Sequence, residues 1–290
     1  MFKKIKQIKN EFLGINQRNV ECIYPNNPKK HYRLADNKVL TKKVLSTHGI
    51  QTPETYGIIE HIGQIDHIWE QVSVHEKLVI KPAMGRGGSG IMILSRKGTD
   101  WFNAGSPINT DNIFSHIANI VFGLYSFADE DCAIIERCII PHHFFSELYP
   151  AGVPDIRVIT FHSEAVMAML RMPTKQSNGK ANLHQGGLGI GVNMESGSLL
   201  EAYDGKTYRS THPDSGIQIV DKILPSWKEI KELAVRTSRH FPLKYLGIDI
   251  VVDNDLGPEV IEINIRPGLG IQLANKQGLK SLLKLKNIAA

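Results

Sequence analysis

Three oxygen-bearing side chains are spaced so that they can share one face of a β-hairpin. Asp249 lies in a run rich in Val and Ile, and Glu262 and Asn264 lie two residues apart in a second such run, 260–265. The segment 254–258 between the runs has turn chemistry, which predicts an antiparallel hairpin. Side chains alternate across a strand, so Glu262 and Asn264 share a face that Asp249 can join. This oxygen set favours Mg²⁺, and a solvated polar sheet face is the competing interpretation.

A glycine-rich loop is the second candidate site. The strand predicted at 79–82 carries Lys81 and runs into the loop at 83–90, and another strand is predicted at 91–94. A Walker or Rossmann loop would enter a helix, so we predict a flexible hairpin lid. Its backbone amides and Lys81 can bind phosphate, and a purely structural hairpin is the alternative. The loop residues given this role are Gly85, Gly87, Gly88, Ser89 and Gly90.

Two arginines form a weaker candidate site. Arg157 and Arg171 lie on strands predicted at 155–161 and 165–171, which are expected to pair. Their guanidinium groups can converge and bind phosphate oxygens through paired hydrogen bonds. A structural pair between Asp155 and an arginine on the neighbouring strand is the alternative.

Two other polar positions are less specific. Glu136 lies on a strand predicted at 133–140, whose end can offer backbone groups to an adenine edge. Asn182 and His184 lie in the polar, glycine-rich segment 174–191, and long loops of this kind are often functional. No Ser/His/Asp or Cys/His arrangement indicates a covalent catalyst.

Composition restricts the class of protein and of partner. A chain of 290 residues suffices for one large domain or two, and its net charge of +5 suits an anionic ligand such as a nucleotide. The basic segment 1–10 is interpreted as a solvated helix face, with peripheral contact to an anionic membrane as the alternative; a nucleic-acid partner is not favoured. Three cysteines without a CxxC spacing favour a cytoplasmic location. We expect no transmembrane helix and no secretory signal, and the sequence does not indicate an oligomeric state.

Helical patterns alternate with these strands. Helices are predicted over residues 1–20, 37–45 with Asp36 as the cap, 111–127 and 226–240. The mixture of helices and paired strands predicts an α+β fold with antiparallel sheets in two lobes.

The order of the motifs along the chain resembles that of the ATP-grasp superfamily, and most closely that of the RimK-type α-L-glutamate ligases. The resemblance covers roughly residues 34–275. The motifs are Asn37-Lys38, Val79-Ile80-Lys81-Pro82 with its glycine loop, Ile135-Glu136, Asp155-Ile156-Arg157, Asn182-Leu183-His184-Gln185-Gly186-Gly187, Gly247-Ile248-Asp249 and Glu262-Ile263-Asn264-Ile265-Arg266-Pro267-Gly268.

This resemblance implies two α+β subdomains that grip ATP, preceded by a truncated N-terminal region. The implied division is 1–33 for the basic N-terminal helix and loop, 34–140 for the subdomain with the lid, and 141–290 for the subdomain with the metal site. Related ligases usually carry a full N-terminal α/β domain that helps to bind substrate. The identity of the substrate is therefore open.

The resemblance also implies roles for individual residues. Lys38 and Lys81 would contact the phosphates and the adenine region, and two Mg²⁺ ions, with Mn²⁺ as a substitute, would be held by Asp249, Glu262 and Asn264. The adenine hinge would be formed by Glu136, Arg137, Cys138 and Ile139. The γ-phosphate would be surrounded by Arg157, Arg171 and Asn182. Arg266 replaces an expected small polar residue, and it would meet a carboxylate or phosphate or pair with a neighbouring acid.

The resulting hypothesis is an ATP-dependent carboxylate–amine ligase. A small carboxylate would attack the γ-phosphate to give an acylphosphate, and an amine, such as an amino acid or a peptide end, would then form an amide. An ATP-grasp kinase that phosphorylates a hydroxyl is the first alternative. The second is a non-catalytic, nucleotide-binding partner of a membrane or glycan-assembly system.

Overall fold

The computed structural model describes residues 11–85, 87–126 and 130–285. Within these ranges, two antiparallel sheets of six and seven strands organise the chain. The chain divides into two compact units, each containing one of the sheets. The α-helices in the described ranges are Ile15–Gln17, Arg33–Asp36, Lys38–Thr47, Ile65–Val72, Thr110–Val121, His143–Leu148, Trp227–Arg239, Gly270–Ala274 and Leu279–Leu285. The α+β class and the antiparallel sheets agree with the sequence pattern.

The first unit, Asn37–Val39 with Pro53–Ile139, contains the six-stranded sheet. Its strands are β1 (Thr55–Ile59), β2 (Lys77–Pro82), β3 (Met92–Lys97), β4 (Asp100–Asn103), β5 (Ser106–Ile108) and β6 (Ala133–Arg137), in the spatial order β1-β6-β2-β3-β4-β5. Helix Thr110–Val121 buries Ile113, Ile117 and Ile120 at helical spacing in the core of this unit. β2 and β6, which carry the predicted nucleotide residues, lie side by side in the middle of the sheet.

The second unit comprises the N-terminal segment through Asp36, Leu40–Thr52 and the chain from Ile140 onward. Its strands are β7 (Asp155–Phe161), β8 (Glu164–Met172), β9 (Leu188–Val192), β10 (Leu199–Tyr203), β11 (Tyr208–Arg209), β12 (Tyr245–Asp253) and β13 (Gly257–Asn264), in the order β11-β10-β9-β8-β7-β12-β13. Helix Trp227–Arg239 covers one face of this sheet, with Ile230, Leu233 and Ala234 buried in the core.

The opposite face of the seven-stranded sheet has an apolar part and a polar part. The apolar part contains Ile159 and Phe161 of β7 together with Met169 of β8, and it packs against Leu13, Cys22 and Ile23 of the N-terminal segment. Residues of helices Gly270–Ala274 and Leu279–Leu285 complete this cluster. The polar part lies further along the same strands, because Asp155 and Arg157 continue the alternation of Ile159 and Phe161.

Several element boundaries differ from the predicted ones for local reasons. The helix predicted over 111–127 ends at Val121, because Gly123 turns the chain with a φ of +77°. The helix predicted at 37–45 runs from Lys38 to Thr47, and the side chain of Asn37 accepts a hydrogen bond from the amide of Val39 at 3.0 Å. The strand predicted through residue 140 ends at Arg137.

The single N-terminal helix predicted over residues 1–20 is wrong for the described part. Residues 12–14 are not helical, and the short α-helix Ile15–Gln17 continues into a π-helix at Arg18–Ile23. Residues 1–10, with the predicted basic helix face, lie outside the described residues. In the ranges that the structure describes, no helix is both long and apolar enough to cross a membrane.

Candidate functional site

The pairing of three strands brings charged side chains to one place on the seven-stranded sheet. Asp249 of β12 lies directly opposite Arg157 of β7 and opposite Glu262 of β13. Asp155 of β7 lies opposite Arg171 of β8. Directly opposed residues of antiparallel strands point to the same face, so all of these side chains share one surface. We call this set the polar cluster; it comprises Asp155, Arg157, Arg171, Asp249, Glu262 and Asn264.

Asp249 is the centre of the polar cluster, and its side chain is fully buried. Arg157 donates from Nε to Oδ1 at 2.7 Å and from Nη2 to Oδ2 at 2.6 Å, which is the paired geometry of a strong guanidinium–carboxylate contact. Arg171 and the amide of Asn264 also donate to Oδ2, at 2.7 and 3.0 Å. Burial alone would raise the pKa of Asp249, but the charges of Arg157 and Arg171 lower it below its usual value.

Arg171 connects the two buried aspartates of the polar cluster. Its Nε donates to Oδ1 of Asp155 at 2.5 Å, while its Nη2 donates to Asp249. Burial would lower the pKa of Arg171, but the charges of Asp155, Asp249 and Glu262 raise it, so the guanidinium stays charged. Burial and the charge of Asp249 push the pKa of Asp155 upward, and Arg171 opposes them. Arg171 therefore interacts electrostatically with three carboxylates, those of Asp155, Asp249 and Glu262.

The donor set of the polar cluster fits a hard cation. Glu262 and Asn264 supply oxygens of the kind that Mg²⁺ prefers, and they lie beside Asp249 across the β12–β13 pair. Oδ1 of Asp249 accepts a single one of the described bonds, whereas Oδ2 accepts three, so Oδ1 has a lone pair left for a further partner. In the described part of the chain, no group of three or more His, Cys, Asp or Glu residues could hold a metal ion. Any metal shell here therefore depends on the amide oxygen of Asn264 as well as on the acids.

Asn182 and Arg266 lie outside the hydrogen bonds around Asp249. The side-chain oxygen of Asn182 caps a short 3-10 turn by accepting from the amide of His184 at 3.0 Å. Arg266 is exposed, and its guanidinium lies over the ring of Tyr32 at 5.3 Å. The predicted roles of these two residues at a γ-phosphate or a carboxylate remain predictions.

In the six-stranded sheet, Lys81 of β2 forms an ion pair with Glu136 of β6. Both side chains are buried, and the β2–β6 register places Val79 opposite Glu136, so that Lys81 lies one step along the same face. At the end of β6, Nη1 of Arg137 donates to the carbonyl of Cys138 at 3.4 Å. Residues 138–140 follow β6 and belong to no strand or helix. The role of Glu136, Arg137, Cys138 and Ile139 as an adenine hinge stays a prediction.

The glycine loop is anchored at both ends. Nζ of Lys38 donates to the carbonyl of Gly85 at 2.8 Å, and the amide of Met84 donates to both carboxylate oxygens of Asp131 at 3.1 Å. At the far end, the ring of His116 contacts the carbonyl of Gly90 at 3.0 Å. Gly87, Gly88 and Ser89 form the turn between these anchors.

Sequence reasoning did not identify Asp131 or His116 as anchors of this loop. The pairing of Pro82 with Ala133 places Asp131 beside the first loop residues, so the β2–β6 register is the signal that would have found it. His116 reaches the loop from helix Thr110–Val121, and no short motif in the sequence indicates that contact.

We expect Gly90→Ala to destabilise the first unit by about 2–3 kcal/mol, since a Cβ there would lie 2.7 Å from the ring of Tyr125 and the φ of +75° strains an L-residue. Gly98→Ala is the matched control: its φ is +61° and its Cβ would meet no atom within 4 Å, so only the strain of about 1 kcal/mol applies. Urea unfolding measures both differences. Equal losses for the two variants would show that Gly90 is not held against Tyr125.

Comparison with known proteins agrees with this architecture. The fold is similar to that of biotin carboxylase from Campylobacter jejuni in complex with a β,γ-ATP ligand, at a TM-score of 0.56 and 12% identity over 89% of this chain and 47% of that chain. It is also similar to that of D-alanyl-alanine synthetase A from Vibrio cholerae, at a TM-score of 0.53 and 13% identity over 87% of this chain and 63% of that chain. D-alanine–D-alanine ligase from Bacillus anthracis with ATP has a TM-score of 0.48 and 14% identity over 88% of this chain and 64% of that chain. The chain thus spans less than two thirds of the length of these structures, and at such identities the similarity shows the fold alone.

Two antiparallel sheets and a glycine loop between the adjacent strands β2 and β3 are the features of an ATP-grasp fold, and the family match and the two relatives with TM-scores above 0.5 agree with it. Residues 17–290 match the family model described as sugar-transfer associated ATP-grasp, and the chain belongs to that family. No curated protein matches the sequence.

Proposed function

We propose that this protein is an ATP-dependent carboxylate–amine ligase that works with Mg²⁺ in the cytoplasm. The observation that carries the proposal is the polar cluster, in which two arginines and two metal-type oxygen ligands surround one buried carboxylate. Such an arrangement suits a reaction in which negative charge is moved between oxygens, because fixed cations stabilise that charge without reorganisation. Free cysteines, Cys22 among them, are compatible with a reducing compartment.

The proposed reaction has two steps. An oxygen of the substrate carboxylate attacks the γ-phosphorus of ATP, ADP leaves, and an acylphosphate forms; an amine then attacks the acyl carbon and inorganic phosphate leaves. Arg157 and Arg171 would bind the oxygens of the transferred phosphoryl group, since guanidinium groups match phosphate geometry. Lys38, Lys81 and the loop amides would hold the remaining phosphates. Bound Mg²⁺ would neutralise phosphate charge during transfer, and Asp249, Glu262 and Asn264 are the residues proposed to hold it.

The test is a panel of amino acids, peptides and sugar acids, assayed for stimulated release of ADP. The motif order that resembles RimK-type ligases makes glutamate the first acid to include. An acid that stimulates ADP release is then labelled with ¹⁸O in its carboxylate, and a ligase transfers one label to the released phosphate. A phosphorylated hydroxyl product without free phosphate would indicate a kinase and overturn the ligase proposal.

A second candidate is a nucleotide-binding partner of a sugar-transfer system that has no turnover of its own. The family description, sugar-transfer associated ATP-grasp, supports the association with sugar transfer, and the absence of turnover is the part that the assay tests. It predicts that Mg-ATP binds and that no acid or amine in the panel stimulates ADP release. The proposed ligase predicts stimulation by at least one acid.

A further inference from the structure

A cavity of about 570 Å³, open to solvent on one side, lies in the unit with the seven-stranded sheet. Its walls are formed by residues of 12–14, 183–184, 269–270 and 272–273 and by Tyr203 and Gly205. This volume is in the range of pockets that bind small molecules, about 300–1,000 Å³. None of the described residues that line the cavity is Asp, Glu, Lys or Arg; its polar side chains are those of His184, Tyr203 and Gln272, and the others are apolar or glycine. The lining therefore suits an uncharged, apolar group.

The cavity lies on the same side of the sheet as the polar cluster. Gly189 of β9 is directly opposite Arg171 of β8, so the Cβ direction of Gly189 points to the side of Arg171. Along that direction the nearest atoms belong to Met169, Ala274 and Leu183, at 2.8, 3.4 and 3.7 Å from an ideal Cβ. Leu183 and the helix that ends at Ala274 are parts of the cavity wall, so the wall and Arg171 share a face.

The N-terminal wall of the cavity is held in place by a buried glutamine. Oε1 of Gln272 accepts from the amides of Leu13 and Leu279, both at 2.8 Å, and Nε2 donates to the carbonyl of Leu13 at 3.0 Å. All three bonds are buried, and Gln272 is 3% exposed. An ideal Cβ on Gly278 would lie 1.9 Å from the carbonyl oxygen of Glu11, so the two segments are in direct backbone contact. Segment 12–14 is thus a fixed wall.

A buried arginine joins the same wall to the loop that follows β13. Arg18 is 7% exposed, and its Nη1 donates to the carbonyl of Pro267 at 2.9 Å, three residues after Asn264 of the polar cluster. The amide of Arg18 donates to the carbonyl of Gly14, which lines the cavity. The cavity wall is therefore tied to the strand end that carries the proposed metal ligand.

We propose that this cavity binds the apolar body of the carboxylate substrate, an alkyl chain or an aromatic ring, while the carboxylate stays on the side of Arg171. The inference rests on the proposed ligase function and adds the class of its acid. The uncharged lining selects against a second charged group in the bound portion, because burial of an unpaired charge is costly. The acid is therefore expected to be apolar beyond its reacting carboxylate, unlike glutamate.

Binding of simple acids to the full chain tests this inference directly. We expect calorimetric titrations with butanoate, hexanoate and octanoate to show tighter binding with length, by roughly fourfold for each methylene that enters the cavity. Glutamate is expected to bind more weakly than hexanoate. Affinity that does not depend on chain length, or equal binding of glutamate and hexanoate, would overturn the inference.

Two variants locate the binding in the cavity. Gly14 has ordinary extended backbone, and a Cβ there would meet no atom within 4 Å, so Gly14→Leu projects into open space beside the wall. We expect octanoate to bind at least tenfold more weakly to Gly14→Leu, whereas Gly63→Leu, an equally open glycine in the first unit, should bind like wild type. Leu273→Trp fills the cavity from the other side, and Leu256→Trp, an exposed leucine in the β12–β13 turn, is its control. Wild-type affinity in both cavity variants would contradict the proposal.

The same samples separate this inference from the proposed function. Length-dependent binding that Gly14→Leu weakens, without any ADP release, would support the cavity as an apolar site and count against the ligase. ADP release stimulated only by acids that carry a second charged group, such as glutamate, with no binding of octanoate, would support the ligase and overturn the assignment of the cavity.

Discussion

Asp249→Asn is expected to destabilise the seven-stranded unit by about 3–5 kcal/mol, because it removes the buried negative charge that compensates two largely buried guanidinium groups. Arg157 directs two hydrogen bonds to this carboxylate and Arg171 a third, and the side chain of Asp249 is fully buried. With an amide in its place, Arg171 keeps Asp155 as a partner, but Arg157 loses its paired contact.

Asp253→Asn is the matched control for this prediction. Asp253 lies on the same strand and is 1% exposed, but it accepts from backbone amides, among them those of Ile140 at 3.0 Å, Asp255 at 3.0 Å and Leu256 at 3.2 Å. An asparagine oxygen can keep part of these bonds, so the expected loss is about 1–2 kcal/mol. Urea unfolding gives the two free energies of unfolding, and hydrogen exchange should show lost protection in β7, β8 and β12 for Asp249→Asn. If Asp249→Asn lowers the free energy of unfolding no more than Asp253→Asn does, the contacts of Arg157 and Arg171 with the Asp249 carboxylate do not stabilise the unit.

Glu262→Gln is expected to reduce turnover by about a hundredfold or more while leaving the fold intact. The change keeps the shape of the side chain but removes a charge that would offset bound Mg²⁺, and metal charge stabilisation contributes several kcal/mol to phosphoryl transfer. Glu262 is only partly buried, so the amide remains in contact with solvent and the stability loss should be small. The affinity for ATP should also become less dependent on Mg²⁺.

Glu195→Gln controls for the loss of one negative charge on the same unit. Glu195 is exposed in the turn between β9 and β10 and takes no part in the polar cluster. ADP release with an acid from the substrate panel, followed over a Mg²⁺ titration, compares the three proteins. If Glu262→Gln has the same turnover rate as the wild-type protein and the Glu195→Gln control, then Glu262 is not a metal ligand in the reaction.

Local pattern was sufficient to predict the hairpin that carries Asp249, Glu262 and Asn264. Alternation of apolar and polar residues sets which side chains share a face, and a turn-rich segment sets where the strands reverse. The structure has this hairpin as β12 and β13, with Asp249 opposite Glu262. The pairing of β7 with β8 followed from the same reasoning, since the two strands are adjacent in the chain.

The bond between Arg157 and Asp249 could not be predicted in the same way. The two residues are 92 positions apart, and their contact depends on the register of β7 against β12, which is set by packing of the whole sheet. The break in the N-terminal helix has a similar cause, because Leu13 gives its backbone groups to Gln272, 259 residues away. Helical periodicity in residues 1–20 cannot reveal such a partner. Contacts between residues far apart in the sequence therefore determine the register of β7 against β12 and the break in the N-terminal helix, which the local pattern does not specify.

Calorimetric titration of a non-hydrolysable ATP analogue, with Mg²⁺ and with a chelator, tests the proposed Mg-nucleotide site most directly. We expect binding in the presence of Mg²⁺, a marked loss of affinity in the chelator, and a smaller difference between the two conditions for Glu262→Gln than for Glu195→Gln. A wild-type protein that does not bind the analogue, or that binds it equally well with and without Mg²⁺, would contradict the proposed site.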